Sequence, residues 1–105
     1  MNIDQLNNKI KSNEAVSIYF SGQTCGVCQV LKPKIKEVLD ENFPKIKQIY
    51  IDASEFQETA ANFNVFTIPT VIVYLDGKEF LRQSRHISVS NFANELQRPY
   101  NLYFD

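Results

Sequence analysis

The sequence of 105 residues has the length of one ordinary domain, and 44% of its residues are apolar and 22% charged. Its 11 basic and 12 acidic side chains give a formal net charge of −1, which argues against a nucleic-acid-binding protein because no basic surplus could neutralise phosphates. No apolar run is long enough for a signal peptide or a membrane helix. We therefore expect residues 1–105 to form a single domain in the cytoplasm that binds neither nucleic acid nor a membrane.

The first half of the chain alternates helix and strand patterns. Apolar residues at helical spacing predict a helix over residues 2–13 and a second, strongly periodic helix over about 25–42. Short β-rich runs predict buried strands at 15–20 and 46–52. Pro33 lies inside the second helix, where the loss of one backbone hydrogen bond predicts a kink just beyond the helix start.

The second half predicts a hairpin between two helices. Phenylalanine and alanine at helical spacing indicate a short helix over about 55–63. The β-rich runs 70–75 and 78–83 flank Asp76 and Gly77, a dipeptide that suits the positive φ angles of a two-residue hairpin turn.

The last predicted helix begins after Ser88, which can act as its N-cap, and we expect it to end at Pro99. The remaining residues, 99–105, form an aromatic tail. Alternating helices and strands imply a parallel crossover, and the terminal hairpin adds antiparallel strands. The predicted fold class is therefore α/β, with a mixed four-stranded sheet flanked by helices on both faces.

Cys25 and Cys28 are the only cysteines and lie three residues apart at a predicted strand-to-helix junction. A thiolate at a helix N-terminus is stabilised by unpaired N–H groups and by the helix dipole, and a partner three residues on can attack a mixed disulfide. Two cysteines that merely pack, or half of a zinc site, are the alternatives. Because His86 is the only other nitrogen or sulfur donor of the usual zinc ligands, we expect no metal unless a dimer contributes a second cysteine pair. We also expect no cofactor.

Two further residues fit this interpretation. Gly26, between the cysteines, is expected to allow a tight turn and the approach of a substrate chain. Pro69 opens the strand TVIVYL, and a proline there either starts an edge strand or follows a cis peptide bond.

The order of elements, the CGVC motif, Pro33 eight residues after Cys25, and the TIPT run before the hairpin together resemble the thioredoxin family over nearly the whole chain. The resemblance implies that Cys25 is the exposed attacking thiol and Cys28 the resolving thiol. It also implies that Pro69 is a cis-proline facing them, and that the backbone of Ile68 pairs with an extended substrate strand. The predicted substrate-binding residues are Thr24, Gly26, Val27, Ile68, Pro69 and Arg85.

The sequence departs from the family pattern at four positions. Thr24 stands where thioredoxins usually have tryptophan, and Val27 stands where the CGPC loop has proline. Tyr19 aligns with the buried acid that is thought to help deprotonate the resolving thiol, and a tyrosine is a poor base at neutral pH. Arg85 aligns with a glycine that lines the substrate groove. Compared with the family pattern, these departures predict weaker resolution by Cys28 and more restricted access for large protein substrates.

The resemblance also implies that this sequence lacks the family's first strand. We therefore expect the strand 46–52 to be an open sheet edge, which Lys45 and Lys47 could protect by their charge. The aromatic tail is expected either to cover apolar surface in its own subunit or in a partner, or to fray.

The favoured function is a thiol-disulfide oxidoreductase that works in the reducing direction on protein or small thiol substrates and is regenerated by a reductase. The alternative is a binding module with weak redox chemistry that holds a partner in the groove near Pro69, Arg85 and His86. A glutaredoxin is a weaker option, because no glycine pair follows the hairpin. We expect a monomer or weak dimer, with His86 as a surface residue.

Overall fold

The computed structural model describes residues 1–104, and helices and strands alternate along them in the predicted order α-β-α-β-α-β-β-α. The helices are α1 (Ile3–Ser12), α2 (Gly26–Asn42), α3 (Gln57–Asn62) and α4 (Val89–Phe104). The strands are β1 (Ala15–Ser21), β2 (Lys47–Asp52), β3 (Thr70–Leu75) and β4 (Lys78–Ser84). In this part of the chain, no helix has the length and apolarity needed to cross a membrane.

The four strands form one mixed sheet in the order β2-β1-β3-β4. β1 runs parallel to β2 and antiparallel to β3, and β3 pairs with β4 as an antiparallel hairpin. Helix α2 makes the crossover between the two parallel strands, which cannot be joined by a tight turn. The predicted α/β class is confirmed, and β2 lies at a sheet edge as predicted for residues 46–52.

Alternating side chains along β1 divide the core between the two faces of the sheet. One face packs against α1 and α3 and takes the side chains of Val16, Ile18 and Phe20. The other face packs against α2 and α4 and takes Ala15 and Tyr19. Because β1 is central and buried on both sides, its sequence is apolar almost throughout rather than alternating.

The hairpin turn has the predicted geometry. Asp76 and Gly77 have φ angles of 54° and 76°, which place both central residues in the left-handed region that this turn requires. The β3–β4 register shifts between Val73 and Tyr74, an irregularity that periodicity alone did not predict.

Helix α4 does not end at Pro99 as predicted but continues to Phe104. Tyr100 is buried, and its ring lies 5.1 Å from that of Phe43 and 4.8 Å from that of Phe104. Its hydroxyl accepts a hydrogen bond of 3.1 Å from the N–H of Lys45. Pro99 removes one helical hydrogen bond, but this packing outweighs the loss.

The aromatic tail therefore covers apolar surface of its own subunit. Tyr100 and Phe104 pack against the core on the α2–α4 side, whereas Leu102 is 69% exposed. Asp105, the last residue of the predicted tail, lies outside the described residues.

Arg82 of β4 anchors the chain that leads to the predicted site. Its Nη2 donates to the carbonyl oxygen of Phe63 at 2.8 Å, and its Nη1 donates to that of Asn64 at 3.1 Å. These carbonyls follow the last turn of α3, where no helical N–H is available to them. An ion pair with Glu79 at 2.9 Å holds the guanidinium in place. The segment that follows α3 is thereby attached to the sheet.

Candidate active site

Cys25 and Cys28 are joined by a disulfide bond at the junction between β1 and α2, with their Cα atoms 5.2 Å apart. Cys25 is the N-cap of α2 and is partly exposed, whereas Cys28, in the first turn, is fully buried. A thiol that attacks a protein substrate must be reachable, so Cys25 has the position expected of the attacking residue and Cys28 that of the resolving residue.

The start of α2 favours a negative charge on the sulfur of Cys25. The N–H of Cys28 donates to Sγ of Cys25 at 3.2 Å, and the N-terminal end of the helix dipole points at the same atom. The first turn contains no acidic side chain that would oppose the charge. Together these features stabilise a thiolate, which is the nucleophile of disulfide exchange.

Gly22 brings the segment before Cys25 close to Ile68. A Cβ at Gly22 would lie 2.8 Å from Cδ1 of Ile68 and 4.0 Å from Cβ of Cys25, so Ile68 and Cys25 flank the same small space. The carbonyl oxygen of Gly22 accepts hydrogen bonds from the N–H of Cys25 at 3.3 Å and from Nε2 of Gln29 at 3.2 Å. These two hydrogen bonds hold the tight loop before the disulfide against the start of α2.

The segment that approaches Gly22 contains a cis peptide bond between Ile68 and Pro69. The carbonyl oxygen of Pro69 accepts a hydrogen bond of 2.9 Å from the N–H of Arg85. Arg85 has a φ of 64° and an exposed side chain. This left-handed conformation costs a residue other than glycine roughly 1 kcal/mol. The predicted substrate-binding residues Ile68, Pro69 and Arg85 are therefore adjacent in space, and Ile68 connects them to Cys25.

The prediction that Gly26 is needed for a tight turn between the sulfurs is wrong. Gly26 is the first residue of α2, and its φ does not lie in the left-handed region. A Cβ at this position would meet no atom within 4 Å. The open space in front of Gly26 leaves its second predicted role, the close approach of a substrate chain, as a prediction.

Several exposed apolar side chains lie close to the disulfide in the sequence. Val27 and Val30 are 63% and 62% exposed and border a shallow depression of about 470 Å³, which Leu31 and Lys34 also line. Phe66, two residues before Ile68, is 77% exposed. Thr24 is exposed directly before Cys25 and contributes a polar side chain to this surface.

Tyr19 lies behind the disulfide, in the centre of β1, and is only 1% exposed. Its hydroxyl donates a hydrogen bond of 2.9 Å to the carbonyl oxygen of Cys28. Burial, helped by the nearby Tyr50, raises the pKa of Tyr19 to about 12. Tyr19 therefore remains protonated at neutral pH, where it can position the first turn of α2 but cannot act as a base.

The raised pKa of Tyr19 predicts a loss of stability in alkali. The folded state holds the tyrosine proton more tightly than the unfolded state, so this contribution is complete below the ordinary pKa of 10.0 and disappears as pH rises toward about 12. Burial also raises the pKa of Tyr74 to about 12, so Tyr74 contributes to the same loss of stability in alkali. Urea unfolding of the oxidised protein should show a smaller fall in the free energy of unfolding above pH 10 for Tyr19→Phe than for the parent. Equal falls would contradict the assignment to Tyr19.

Two residues of the site were not predicted. Gly22 gave no signal of a role in the site, because its close approach to Ile68 depends on the tertiary fold. Gln29 gave no signal, since its bond to the carbonyl of Gly22 is seen only in three dimensions. His86 is exposed, as expected. Within residues 1–104, no three His, Cys, Asp or Glu side chains are grouped so as to hold a metal ion.

Comparison with known proteins gives one consistent family. The thioredoxin family model matches residues 1–98. The thioredoxin-like protein YdfQ of Bacillus subtilis is 39% identical over 98 residues, which are 93% of this chain and 87% of YdfQ. A thioredoxin of Mycobacterium tuberculosis is 33% identical over 73 residues, covering 70% of this chain and 63% of that protein. The structure of thioredoxin 1 from Thermosipho africanus superposes with a TM-score of 0.77 at 32% identity, covering 86% of this chain and 99% of that one.

Proposed function

Because the chain belongs to the thioredoxin family, we propose that it reduces disulfide bonds in proteins or small thiol compounds through Cys25 and Cys28. Family membership and the paired cysteines support thiol-disulfide exchange as the general chemistry. The observation that carries the proposal is the hydrogen bond from the N–H of Cys28 to Sγ of Cys25 at the start of a helix, because it favours the thiolate on the accessible cysteine.

The reaction begins with the reduced protein. The thiolate of Cys25 attacks one sulfur of the substrate disulfide, that bond breaks, and the other substrate sulfur leaves as a thiolate that takes a proton from water. Cys25 and the substrate are then joined by a mixed disulfide. Cys28 loses its proton to water and attacks Sγ of Cys25, which releases the second substrate thiolate and leaves the disulfide between Cys25 and Cys28.

Two electrons have then passed from the protein to the substrate, and a reductase must return them before the next turnover. The proposal places the protein in a reducing compartment, the cytoplasm, where such a partner operates. Substrate binding is assigned to the surface formed by Cys25, Val27, Ile68 and Arg85. Pro69 is buried and contributes by holding the backbone between Ile68 and Arg85.

A binding module with little redox activity is the second candidate, and Tyr19 is the observation that favours it. The hydroxyl of Tyr19 is engaged with the carbonyl of Cys28, and in residues 1–104 no carboxylate is hydrogen-bonded to either residue. Resolution by Cys28 therefore has no neighbouring base. A slow second step would make the mixed disulfide long-lived.

The two candidates are separated by the rate at which the protein speeds the reduction of a protein disulfide by dithiothreitol. We expect a rate that rises in proportion to protein concentration and a covalent, reductant-sensitive complex with substrate when Cys28→Ser is used as a trap. A rate equal to that of dithiothreitol alone, together with equal retention of partners by the double serine variant, would support the binding module instead.

A further inference from the structure

Arg85, beside the proposed substrate site, has a positive φ angle that is unusual for a residue other than glycine. Its N–H donates to the carbonyl oxygen of Pro69 at 2.9 Å, and its φ is 64°. A glycine takes up this conformation without the steric penalty that a Cβ brings. A long charged side chain at an unfavourable backbone position next to a reactive centre indicates a role for that side chain.

The sequence around Arg85 carries little charge. Residues 21–28, 64–69 and 84–88 contain no Asp, Glu or Lys and no other Arg, but the acidic segment 52–55 at the end of β2 reaches Gly22 through Ser54. The side chain of Arg85 is exposed and forms no ion pair within residues 1–104.

Within residues 1–104, Asp52 forms no ion pair with Arg85. Asp52, at the end of β2, accepts hydrogen bonds from the N–H groups of Ser54 and Glu55 at 2.9 and 3.2 Å. Bonds from the Ser54 hydroxyl and these amides hold the pKa of Asp52 below its ordinary value. The side chain of Gln23 also hydrogen-bonds this carboxylate, which is therefore held by its own turn and by the segment before Cys25.

Ile68, which is partly buried, and the exposed Val27 contribute apolar side chains to the surface beside the disulfide, whereas the residues on either side of Arg85, Ser84 and His86, are polar and exposed. A protein segment that lies across Ile68 and Pro69 removes water from the guanidinium. An arginine covered in this way is unfavourable unless a carboxylate pairs with it, and a lysine or arginine opposite it adds repulsion. A carboxylate can accept two parallel hydrogen bonds from the guanidinium, which adds orientation to the attraction.

We propose that Arg85 selects disulfide substrates in which an extended protein segment carries an Asp or Glu side chain close to the reacting cysteine. This inference rests on the proposed function and names its substrate class. The selected step is the first one, in which the thiolate of Cys25 breaks the substrate disulfide and forms the mixed disulfide.

The test uses the reduced protein in single turnover with disulfide-linked homodimers of one short peptide that has Glu, Gln or Lys two residues from its cysteine. Each rate is divided by the rate at which 2-mercaptoethanol reduces the same peptide, which corrects for intrinsic reactivity. At low salt we expect the parent to prefer the Glu peptide over the Lys peptide by about 10-fold, and less so at high salt.

Variants assign this preference to Arg85. Arg85→Gly should bring the Glu and Lys rates to within about 2-fold of each other, and Arg85→Glu should reverse their order. Arg98→Glu makes the same change of net charge at an exposed position of α4 and should keep the preference. The comparison is a ratio within one variant, so a partly unfolded sample does not alter it. If Arg85→Gly or Arg85→Glu does not fold, Arg85→Gln removes the charge with a smaller change of side chain, and its Glu and Lys rates should also lie within about 2-fold of each other.

Three results would overturn the inference. Equal Glu and Lys rates in the parent would remove the selection while leaving disulfide reduction intact. A response to Arg85→Glu with oxidised glutathione but not with the peptides would assign the carboxylate to a small thiol compound. No attack on any disulfide, including the uncharged 2-hydroxyethyl disulfide, would contradict the proposed function and the inference with it.

Discussion

Replacement of Cys25 by serine is expected to reduce the rate of disulfide reduction by about 10³-fold or more, because a serine hydroxyl is not ionised at neutral pH and cannot form the mixed disulfide. Cys28→Ser should behave differently. Its Cys25 still attacks the substrate, so the first step persists while the second is lost and the mixed disulfide accumulates. Stopped-flow release of the first substrate thiol and mass spectrometry of the protein measure the two steps separately.

The two serine variants serve as controls for each other, since each removes one sulfur from the same turn of chain. In the reduced parent we expect iodoacetamide to modify Cys25 well before Cys28, because Cys25 is partly exposed and Cys28 is fully buried. Modification of both cysteines at one rate, or full activity in Cys25→Ser, would be incompatible with an attacking role for Cys25.

Replacement of Tyr100 by alanine is expected to lower the free energy of unfolding by about 3 kcal/mol. The substitution removes a buried ring that contacts Phe43 and Phe104, and it leaves the N–H of Lys45 without its hydroxyl acceptor. Tyr100→Phe keeps the ring and loses only the hydroxyl, so it should cost about 1 kcal/mol. Urea unfolding followed by circular dichroism gives both values.

Leu102→Ala is the matched control, because Leu102 lies in the same helical turns but is 69% exposed. We expect it to change the free energy of unfolding by no more than about 0.5 kcal/mol. If Tyr100→Ala and Leu102→Ala had equal effects, the end of α4 would contribute nothing to the core.

Periodicity and turn chemistry were sufficient to predict the fold. The β-rich runs of the strands, the helical spacing in the segment that became α2, and the positive φ angles available to Asp76 and Gly77 all act locally. The types of neighbouring residues were therefore enough to predict the local secondary structure. The thioredoxin family assignment added the roles of the two cysteines and is confirmed by the family match over residues 1–98.

The end of α4 could not be predicted in the same way. The rule that proline ends a helix considers only the backbone, whereas the helix beyond Pro99 is held by the ring of Tyr100 against Phe43, 57 positions earlier in the chain. The same is true of Arg82, whose bonds to the carbonyls of Phe63 and Asn64 join a strand to a helix end. Side chains that act across such distances leave no local pattern.

Gly26 illustrates the opposite error, in which a local rule was applied where the fold did not need it. Gly26 has a helical φ that any residue can adopt, and a Cβ there would meet no atom of this chain within 4 Å. A side chain at this position would therefore obstruct only a second chain, such as a substrate. Tyr19 lies between these cases: the sequence indicated that it cannot be a base, and only the structure located the carbonyl that its hydroxyl holds.

The attachment of Arg82 has a consequence for evolution and engineering of this protein. Pro69 lies five residues after Asn64. The segment 64–69, which would receive a substrate, is therefore held in place by the guanidinium of Arg82 on β4. A substitution at Arg82 would loosen the segment 64–69 without changing the identity of either cysteine or of any residue that contacts them. Variation in turnover among relatives could thus originate at a position that never meets the substrate.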